Sequence, residues 1–391
     1  MENAVTPGEQ SRIAAAHASD LEWGAFSNAA PWVLRKDAVR WRGLVEGIRT
    51  QAREELPSLM SAPRVPPVAR LVVVVFRLVI ALGPWWWKRR RNKYTSPEAS
   101  RADLSLRMRH AIERLGSTYI KLAQIISSGE GLFPAELVEE FKRCRDQVPA
   151  ESFDDVRRVV EEDLGARLED VFASFETSPI AAASIAQVHA AVLNTGESVV
   201  VKVQRPQVGT LVRKDLKVMA WLAPFLVGRI KIAALANPPA LVELFAETIV
   251  EELDFRLEAS NMLDIASILA DLKQDGYVIP RPHPELVTRR IIVMERLSGF
   301  KFDDVAGMKD AGIDTEAVIR TGMVAFMEGA LLYGVFHGDL HGGNLFVMRD
   351  GRTALLDFGI VGRLTGVRRL AFLRLMLSAT TNDVKGQITA L

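Results

Sequence analysis

The chain has 391 residues, of which 49% are hydrophobic and 25% are charged, and its formal net charge is +1. This length and composition predict a folded protein with two lobes or domains, and the near-zero net charge gives no electrostatic case for nucleic-acid binding. A single cysteine, Cys144, excludes an intramolecular disulfide. The sequence lacks His-Glu-x-x-His, Cys-x-x-Cys and Walker-type motifs, so neither a zinc site nor a P-loop is predicted. The amino terminus shows no secretory leader, so export is not expected.

Residues 1–95 form a mixed segment that we expect to be an N-terminal appendage. It holds one strongly apolar stretch, residues 71–87, in which ten Val, Leu, Ile or Phe residues are interrupted by Arg77 and followed by Trp85-Trp86-Trp87. A central arginine costs about 2.5–3.5 kcal/mol of insertion free energy, which makes a transmembrane span marginal. The tryptophans precede Lys88-Arg89-Arg90-Arg91, and this combination is typical of the lipid headgroup level. We predict an interfacial membrane anchor; the alternative is a helix docked on the protein body with a solvated basic tail.

Helical periodicity dominates from residue 96 onward and is interrupted by two groups of short β-prone runs. The predicted helical stretches are about residues 96–127 with Pro97 near the start, 134–145, 152–164 with Ser152 as its cap, 212–235, 240–269 and 315–332. The predicted strands are residues 172–175, 186–192, 198–203, 277–279 and 290–294. The first three strands predict a small antiparallel sheet, since residues 194–197 have the composition of a turn.

A strand lysine and the small-residue loop before it are the first candidate nucleotide-binding feature. Lys202 ends the run Val199-Val200-Val201, where a strand would position it rigidly to bind the α- and β-phosphates of a nucleotide. Upstream, Ala181-Ala182-Ala183-Ser184 stands where protein kinases carry a glycine-rich loop. Backbone amides of such a loop can approach phosphate, but the methyl groups narrow its conformations, so we expect a less flexible loop.

An acidic segment lies within the predicted helix 240–269. It contains Glu251, Glu252, Asp254 and Glu258, and kinase-type sites use a helix glutamate to orient the strand lysine. On a continuous helix, at about 100° per residue, Glu251, Asp254 and Glu258 share a face, whereas Glu252 and Glu258 point roughly 120° apart. Two acidic groups are therefore predicted to serve two different cations.

The most informative string of the chain is His337-Gly338-Asp339-Leu340-His341-Gly342-Gly343-Asn344, followed by Asp357-Phe358-Gly359. A loop Asp, an Asn five residues later and a subsequent Asp-Phe-Gly form the pattern of a metal-dependent phosphoryl-transfer site. Residues 345–348 and 353–356 predict a β-hairpin that delivers Asp357 beside Asn344. Asp and Asn oxygens together with phosphate oxygens suit Mg²⁺ or Mn²⁺.

These spacings predict a chemical role for each polar residue of the string. We expect Asn344 and Asp357 to hold Mg²⁺ and Asp339 to orient the attacking hydroxyl or water. Positioning and charge neutralisation would then supply the rate enhancement. His337 and His341 are predicted mainly to shape the loop.

The combined motifs resemble those of the UbiB-type atypical kinases, also called the ADCK or ABC-one group, over about residues 115–365. That family combines an alanine-rich loop, a Lys-x-Gly-Gln motif, a Glu-x-Asp motif, and His-x-Asp-x-His-x-Gly-Asn with Asp-Phe-Gly. The resemblance implies an α+β, atypical bilobal protein-kinase-like fold with a helical N-terminal extension over residues 96–150, an N-lobe over 151–297 and a C-lobe over 298–391. The C-lobe is expected to be incomplete or reduced, because few residues follow Asp357 and they contain no Ala-Pro-Glu.

The same resemblance assigns the remaining site residues and cofactors. Lys202 would be held by Glu258, and these two residues together with Asp339 would be catalytic. Met294-Glu295-Arg296-Leu297 looks like the interlobe hinge, whose backbone would meet adenine. The implied nucleotide-binding residues are Ala181, Ala182, Ala183, Ser184, Lys202, Glu295 and Leu297. The implied cofactors are ATP and Mg²⁺, with Mn²⁺ as the alternative metal.

A regulatory motif of the family is also matched, with one departure. Lys121-Leu122-Ala123-Gln124 fits Lys-x-Gly-Gln except that Ala123 replaces glycine, and Glu252-Leu253-Asp254 fits Glu-x-Asp. In the family the lysine lies near the motif glutamate on a helix that covers the catalytic cleft and blocks protein substrates. The resemblance therefore implies a Lys121–Glu252 pair, with Gln124 and Asp254 as further regulatory residues. The methyl group of Ala123 is expected to weaken or reshape this occlusion.

The activity implied by the resemblance is a Mg-ATP-dependent kinase or ATPase that supports isoprenoid quinone biosynthesis, of the ubiquinone type, or lipid homeostasis at a membrane. The implied partners are ATP, a lipid or quinone precursor, the membrane surface, quinone-biosynthesis proteins and a second copy in a homodimer, with no nucleic acid. The expected location is the cytoplasmic face of a bacterial inner or plasma membrane, or the matrix side of a mitochondrial membrane if the chain is eukaryotic.

Three alternatives remain open from the sequence. Small-molecule kinases of the aminoglycoside or choline type also use His-Gly-Asp-Leu-His-x-Gly-Asn, but they are not expected to carry the alanine loop together with Lys121-x-x-Gln124. A conventional protein kinase is disfavoured by the missing glycine-rich loop and Ala-Pro-Glu. A nucleotide-gated membrane scaffold, in which ATP binding matters and turnover does not, would use the same binding residues.

Overall fold

The computed structural model describes residues 21, 23–28, 31–35, 39–61, 67–129, 131, 133–145, 150–227 and 237–390. The α-helices in these ranges are α1 Val45–Met60, α2 Val68–Arg90, α3 Pro97–Leu115, α4 Ser117–Ser128, α5 Ala135–Lys142, α6 Phe153–Leu164, α7 Leu168–Val171, α8 Val208–Leu226, α9 Pro238–Glu252, α10 Phe255–Asp271, α11 Val305–Asp310, α12 Thr315–Glu328, α13 Gly366–Thr380 and α14 Val384–Ala390. The strands are β1 Phe172–Phe175, β2 Ala181–Ala182, β3 Ala186–Leu193, β4 Ser198–Gln204, β5 Tyr277–Val278, β6 Pro282–Val287, β7 Ile291–Glu295, β8 Phe300–Lys301, β9 Val335–His337, β10 Leu345–Val347, β11 Thr353–Leu355 and β12 Val361–Arg363. The architecture is the expected α+β class.

The chain folds into two compact units. The first unit holds the described residues among Met1–Val45, Val192–Val200 and Phe255–Leu391. The second holds those among Glu46–Ala191 and Val201–Asp254.

The second unit joins a helical part to a small sheet. Its strands follow the order β1-β3-β4, and β2 is added to β3 as an antiparallel neighbour. This arrangement confirms the small antiparallel sheet expected from the sequence. Ser152 caps α6 by accepting a hydrogen bond from the backbone N–H of Asp155 at 3.2 Å, as the sequence predicts.

Two predicted helices are each divided in the structure. The helical stretch predicted from about residue 96 to residue 127 consists of two helices, because Gly116, at φ +102°, separates α3 from α4. This positive φ favours glycine. The predicted helix 240–269 is likewise divided at residues 253–254, between α9 and α10. The face calculation for Glu251, Glu252, Asp254 and Glu258 assumed a continuous helix and is therefore wrong. The predicted helix 212–235 is observed as α8, and residues 228–236 lie outside the described residues.

Helix α2 contains the apolar stretch predicted to be a membrane anchor. Val74 and Ala81 are buried, whereas Val72, Phe76 and Val79 are each about 60% exposed. Among the described residues, α2 is the one helix that is long and apolar enough to cross a membrane, by length and composition alone. Its carboxyl-terminal part is docked on α3, where the indole N–H of Trp85 donates to the backbone oxygen of Ser100 at 3.0 Å.

The first unit contains three sets of paired strands. Strands β6 and β7 are antiparallel, β5, β11, β10 and β8 form a four-stranded sheet, and β9 pairs with β12. Strand β6 was not expected, because Pro282 and Pro284 make its sequence look like a loop. The predicted helix 315–332 is α12 followed by a π-helical turn, Gly329–Tyr333.

Part of the expected N-terminal appendage is built into the first unit. The backbone N–H of Ala25 donates to the oxygen of Ala266 at 3.0 Å, and the N–H of Ile279 donates to the oxygen of Ala25 at 2.8 Å. Phe26 is fully buried beneath the guanidinium of Arg281, which lies 4.8 Å from the ring centroid. The single boundary drawn at residue 95 therefore does not describe this segment, whose contacts are long-range and have no local sequence signal.

Candidate active site

The catalytic-loop string begins where β9 ends. His337 is buried; its Nε2–H donates to the backbone oxygen of Leu356 at 3.1 Å, and its Nδ1 accepts from the backbone N–H of Asp339 at 3.1 Å. Since a carbonyl oxygen can only accept, these two bonds require the neutral imidazole. Burial lowers the pKa of His337, against the opposing influence of Asp357 and Asp339. His337 therefore shapes the loop, because its two ring nitrogens hydrogen-bond the backbones of Asp339 and Leu356, the residue before Asp357.

Asn344 completes the loop through its own amide. Its Nδ2 donates to the backbone oxygen of Asp339 at 3.1 Å, and its backbone N–H donates to the oxygen of His341 at 2.8 Å. The imidazole Nδ1 of His341 accepts from the backbone N–H of Gly343 at 3.1 Å. These bonds fix the orientation of the Asn344 amide and direct its nitrogen to the protein, which leaves Oδ1 as the atom suited to a cation.

The predicted β-hairpin between the two motifs is present. Strands β10 and β11 are antiparallel with Leu345 opposite Leu355, and the backbone N–H of Leu356 donates to the oxygen of Asn344 at 2.9 Å. Asn344 is thus hydrogen-bonded to the residue directly before Asp357, as the spacing predicts. Within the described residues, no group of three or more His, Cys, Asp or Glu side chains could by itself hold a metal. The donor set of Asn344 and Asp357 suits a Mg²⁺ ion that takes its remaining ligands from phosphate and water.

Side chains of α10 form hydrogen bonds with the segment Asp357-Phe358-Gly359. Asp357 has a left-handed backbone, φ +54°, and its Oδ1 accepts from the N–H of Gly359 at 3.2 Å. The fully buried Phe358 donates its N–H to Oε1 of Glu258 at 3.3 Å and accepts at its backbone oxygen from Nδ2 of Asn261 at 3.0 Å. Its ring contacts that of His337, with centroids 5.1 Å apart. Glu258 therefore has a structural bond to this motif in addition to the role predicted for it.

Asn261 was missed by the sequence reasoning. Besides Phe358 it binds Arg363, whose Nη2 donates to Oδ1 of Asn261 at 3.0 Å and to Oδ2 of Asp264 at 2.7 Å. The segment after Asp-Phe-Gly is thereby fixed to α10. The signal available in the sequence was the position of Asn261 three residues after Glu258 on the same helix face.

The predicted hinge, residues 294–297, begins within β7 and continues beyond its end at Glu295. The side chain of Glu295 is buried, where it accepts from the hydroxyl of Ser27 and lies 3.5 Å from Nη1 of Arg281. Burial raises the pKa of Glu295. Its backbone N–H donates to the oxygen of Arg281 at 2.9 Å. Glu295 is thus a structural side chain, and a role in adenine binding would fall to the backbone of the segment that ends at Leu297, which is half-buried.

The second unit carries the other predicted site residues. Lys202 is buried in β4, and Ser184 is buried in the loop before β3. Ala181 and Ala182 form β2, opposite Val188 and Gln187. The N–H of Ala183 donates to the oxygen of Ala186 at 2.8 Å. The alanine loop is therefore the end of a hydrogen-bonded hairpin.

The ion pair implied by the family resemblance is present in the same unit. Lys121 Nζ in α4 lies 2.7 Å from Oε1 of Glu252, the last residue of α9. Ala123, which replaces the family glycine, is fully buried, so its methyl group is accommodated. Asp254 follows the helix break, and its N–H donates to the oxygen of Glu251 at 3.2 Å. Gln124 contributes its backbone oxygen to the hydroxyl of Ser127 at 2.7 Å.

Comparison with known proteins agrees with the resemblance of these motifs to those of the UbiB-type atypical kinases. The family model of the ABC1 atypical kinase-like domain matches residues 143–391. An uncharacterized protein of Mycobacterium tuberculosis is 41% identical over 251 residues, which are 64% of this chain and 51% of that protein. The chloroplastic protein Activity of BC1 complex kinase 1 of Arabidopsis thaliana is 36% identical over 71% of this chain and 40% of its own length. A probable protein kinase UbiB of Cellvibrio japonicus is 30% identical over 88% of this chain and 59% of its own length.

The chain spans about half the length of the curated relatives it matches. The matched region contains the alanine loop, Lys202, the Glu-x-Asp motif and the loop from His337 to Asp357. The chain therefore belongs to the ABC1 atypical kinase-like family, the group of UbiB-type atypical kinases.

Proposed function

We propose that the protein is a Mg²⁺-ATP-dependent atypical kinase or ATPase. The observation that carries the proposal is the hydrogen-bonded connection of Asp339, Asn344 and the strand before Asp357 in the first unit. A metal-dependent phosphoryl transfer needs its acidic and amide ligands at fixed positions before the reaction starts. The neutral, buried His337 and the hairpin provide that fixation.

Each residue has one task in the proposed chemistry. Lys202 binds the α- and β-phosphates of ATP, with Glu258 as its proposed partner, while Asn344 and Asp357 hold Mg²⁺. The metal neutralises phosphate charge when it is bound. Asp339 orients the attacking hydroxyl or water and accepts its proton. The alanine loop and the segment from Glu295 to Leu297 contact the nucleotide through their backbone.

A membrane lipid or quinone precursor is the proposed phosphoryl acceptor or activator. Support comes from α2, which presents exposed Val72, Phe76 and Val79. At the carboxyl end of the same helix, the guanidinium groups of Arg90 and Arg91 lie 5.2 and 4.2 Å from the ring centroids of Trp86 and Trp87. Tryptophan and arginine at the end of an apolar helix favour the headgroup region of a bilayer. Isoprenoid quinone biosynthesis and lipid homeostasis are both processes in which such an activity would act.

The test is ATP hydrolysis by the purified chain with Mg²⁺, alone and with liposomes or phenolic quinone precursors. The proposal expects Mg²⁺-dependent phosphate release that rises with liposomes or with a phenol. A double variant, Phe76→Ser with Val79→Ser, should lose the liposome effect and keep the basal rate. Nucleotide binding without any phosphate release would instead favour the membrane scaffold, and transfer to an aminoglycoside or choline would favour the small-molecule kinase.

A further inference from the structure

Arg205 is a buried charged residue in the second unit, three positions after Lys202 and directly after β4. Its Nε donates to the backbone oxygen of Ala183 at 3.0 Å, and its backbone N–H donates to the oxygen of Ile185 at 2.9 Å. Arg205 therefore binds the alanine loop at Ala183 and the chain directly after the loop at Ile185. A single arginine after a strand has no distinctive pattern, so the sequence alone predicts no role for Arg205.

The same guanidinium also forms an ion pair with an acidic residue. Nη1 of Arg205 donates to Oε1 of Glu151 at 2.7 Å, and the Arg205 side chain is 6% exposed. A charge-assisted bond of this length is among the stronger hydrogen bonds in proteins. Arginine can hold a carbonyl oxygen and a carboxylate at once because its donors form a planar fork, which lysine lacks.

A second group of hydrogen bonds fixes Glu151 to β3, the strand beside the loop. The backbone N–H of Glu151 donates to Oε1 of Gln187 at 2.9 Å, and Nε2 of Gln187 donates to Nε2 of His189 at 2.8 Å. His189 in turn donates from Nδ1 to the backbone oxygen of Glu176 at 2.8 Å. Gln187 and His189 are both fully buried. The bonds therefore run without interruption from β3 through Glu151 and Arg205 to the alanine loop.

These hydrogen bonds hold the loop in one conformation, which its own side chains cannot do. The methyl groups of alanine limit the backbone conformations, but they offer little surface for packing against the rest of the protein. Arg205 holds the carbonyl side of the loop and belongs to the same chain segment as Lys202. Its side chain thus couples the position of the loop to the strand that presents the phosphate-binding lysine.

We propose that Arg205, with Glu151 as its counter-ion, is a positioning residue that holds the alanine loop in the conformation that accepts the nucleotide. The proposal rests on the proposed function, since the nucleotide is the ligand that the loop would receive. Arg205 itself does not touch the reacting atoms. Its loss should therefore weaken nucleotide binding more than it slows the chemical step.

The experiment compares Arg205→Met, Arg205→Lys and Glu151→Gln with wild type and with Arg158→Met. Arg158 is a matched control in the same unit, because it forms an exposed ion pair with Asp155. Three quantities are measured for each purified full chain: the dissociation constant of a fluorescent ATP analogue with Mg²⁺, amide hydrogen exchange over residues 180–187, and KM and kcat for ATP hydrolysis. Thermal unfolding without nucleotide checks that each variant is folded.

Arg205→Met should raise the dissociation constant and KM by about tenfold or more, change kcat by less than about threefold, and speed amide exchange in the loop. Arg205→Lys should recover part of the affinity, because it keeps one charged donor. Glu151→Gln should shift the same quantities in the same direction by a smaller amount, and it serves as the deciding variant if Arg205→Met does not fold. Arg158→Met should behave as wild type.

Two results overturn the inference in distinguishable ways. If wild type binds nucleotide and the Arg205→Met variant binds it equally well and keeps slow amide exchange in the loop, the positioning role of Arg205 is overturned and the proposed function is not. Wild type that binds no nucleotide overturns the proposed function and the inference with it.

Discussion

Lys121 and Glu252 form a buried ion pair, in which Nζ lies 2.7 Å from Oε1 and the two side chains are 12% and 2% exposed. The pair joins α4 to the carboxyl end of α9 in the second unit. α9 ends at Glu252, and the chain passes into the first unit at Phe255. The ion pair thus fixes the last residue of α9 close to the point where the chain leaves the second unit.

Removal of one partner of this pair should destabilise the protein. Lys121→Met leaves the Glu252 carboxylate buried beside an apolar side chain, and the free energy of unfolding should fall by about 3–5 kcal/mol. Lys121→Met combined with Glu252→Leu should recover most of that loss, because no uncompensated charge remains. Urea unfolding measures both variants. Lys309→Met, at an exposed position, is the control, and an unfolding free energy for Lys121→Met within about 0.5 kcal/mol of wild type would contradict the prediction.

Asp339→Asn should separate catalysis from binding. The backbone bonds of Asp339 to His337 and Asn344 do not involve its carboxylate, so the loop should keep its conformation. The kcat for ATP turnover should fall by about a hundredfold or more because the proton acceptor is lost, while KM for ATP should change by less than about threefold. Steady-state kinetics give both numbers. Asp350→Asn, in the exposed hairpin turn, is the control, and equal kcat values for Asp339→Asn and wild type would refute the role.

Acidification should destabilise the protein through its buried histidines. His337 and His189 each use a ring nitrogen as an acceptor, and burial lowers the pKa of both. The unfolded chain therefore binds protons at a higher pH than the folded one. The stability from the neutral histidines is present above about pH 6.5 and is lost below it, at up to about 1.4 kcal/mol per pH unit for each group.

The histidine prediction is checked by urea unfolding at pH 7.5 and pH 5.5. His189→Gln should show a smaller loss of unfolding free energy between these pH values than wild type, whereas His110→Gln, at an exposed position, should show the same loss. A pH dependence unaltered by His189→Gln would contradict the prediction.

The parts of the fold predicted correctly from sequence were those with local signals. The hairpin from Leu345 to Leu355 has two β-prone runs with a turn between them, and α6 has a serine cap and an apolar face. The break between α9 and α10 was missed because apolar periodicity continues across residues 253–254 without glycine or proline. Helix propensity alone cannot reveal where tertiary contacts end a helix.

The geometry of the candidate site can be predicted from sequence where the spacing within a motif fixes it. His337, Asp339 and Asn344 lie on one loop, so their mutual bonds follow from a few residues of chain. The side chains of Arg205 and Asn261 contact residues that lie 22 to 102 positions away in the chain. Such contacts depend on the tertiary fold. The spacing of Asn261 from Glu258 on α10 is a local signal, but a single sequence carries no pattern that identifies the distant partners of either residue.

The most direct test of the proposed chemistry measures phosphate release from Mg²⁺-ATP by the purified 391-residue chain and by its Asp357→Asn variant. This measurement needs no assumption about the phosphoryl acceptor. Asn at position 357 keeps the shape of the side chain and removes the charge that would hold the metal. The expected result is release by wild type that requires Mg²⁺, a fall of about a hundredfold or more in Asp357→Asn, and a wild-type rate for Asp350→Asn. Equal, Mg²⁺-independent rates in wild type and Asp357→Asn would contradict the proposal that this protein is a metal-dependent phosphoryl-transfer enzyme.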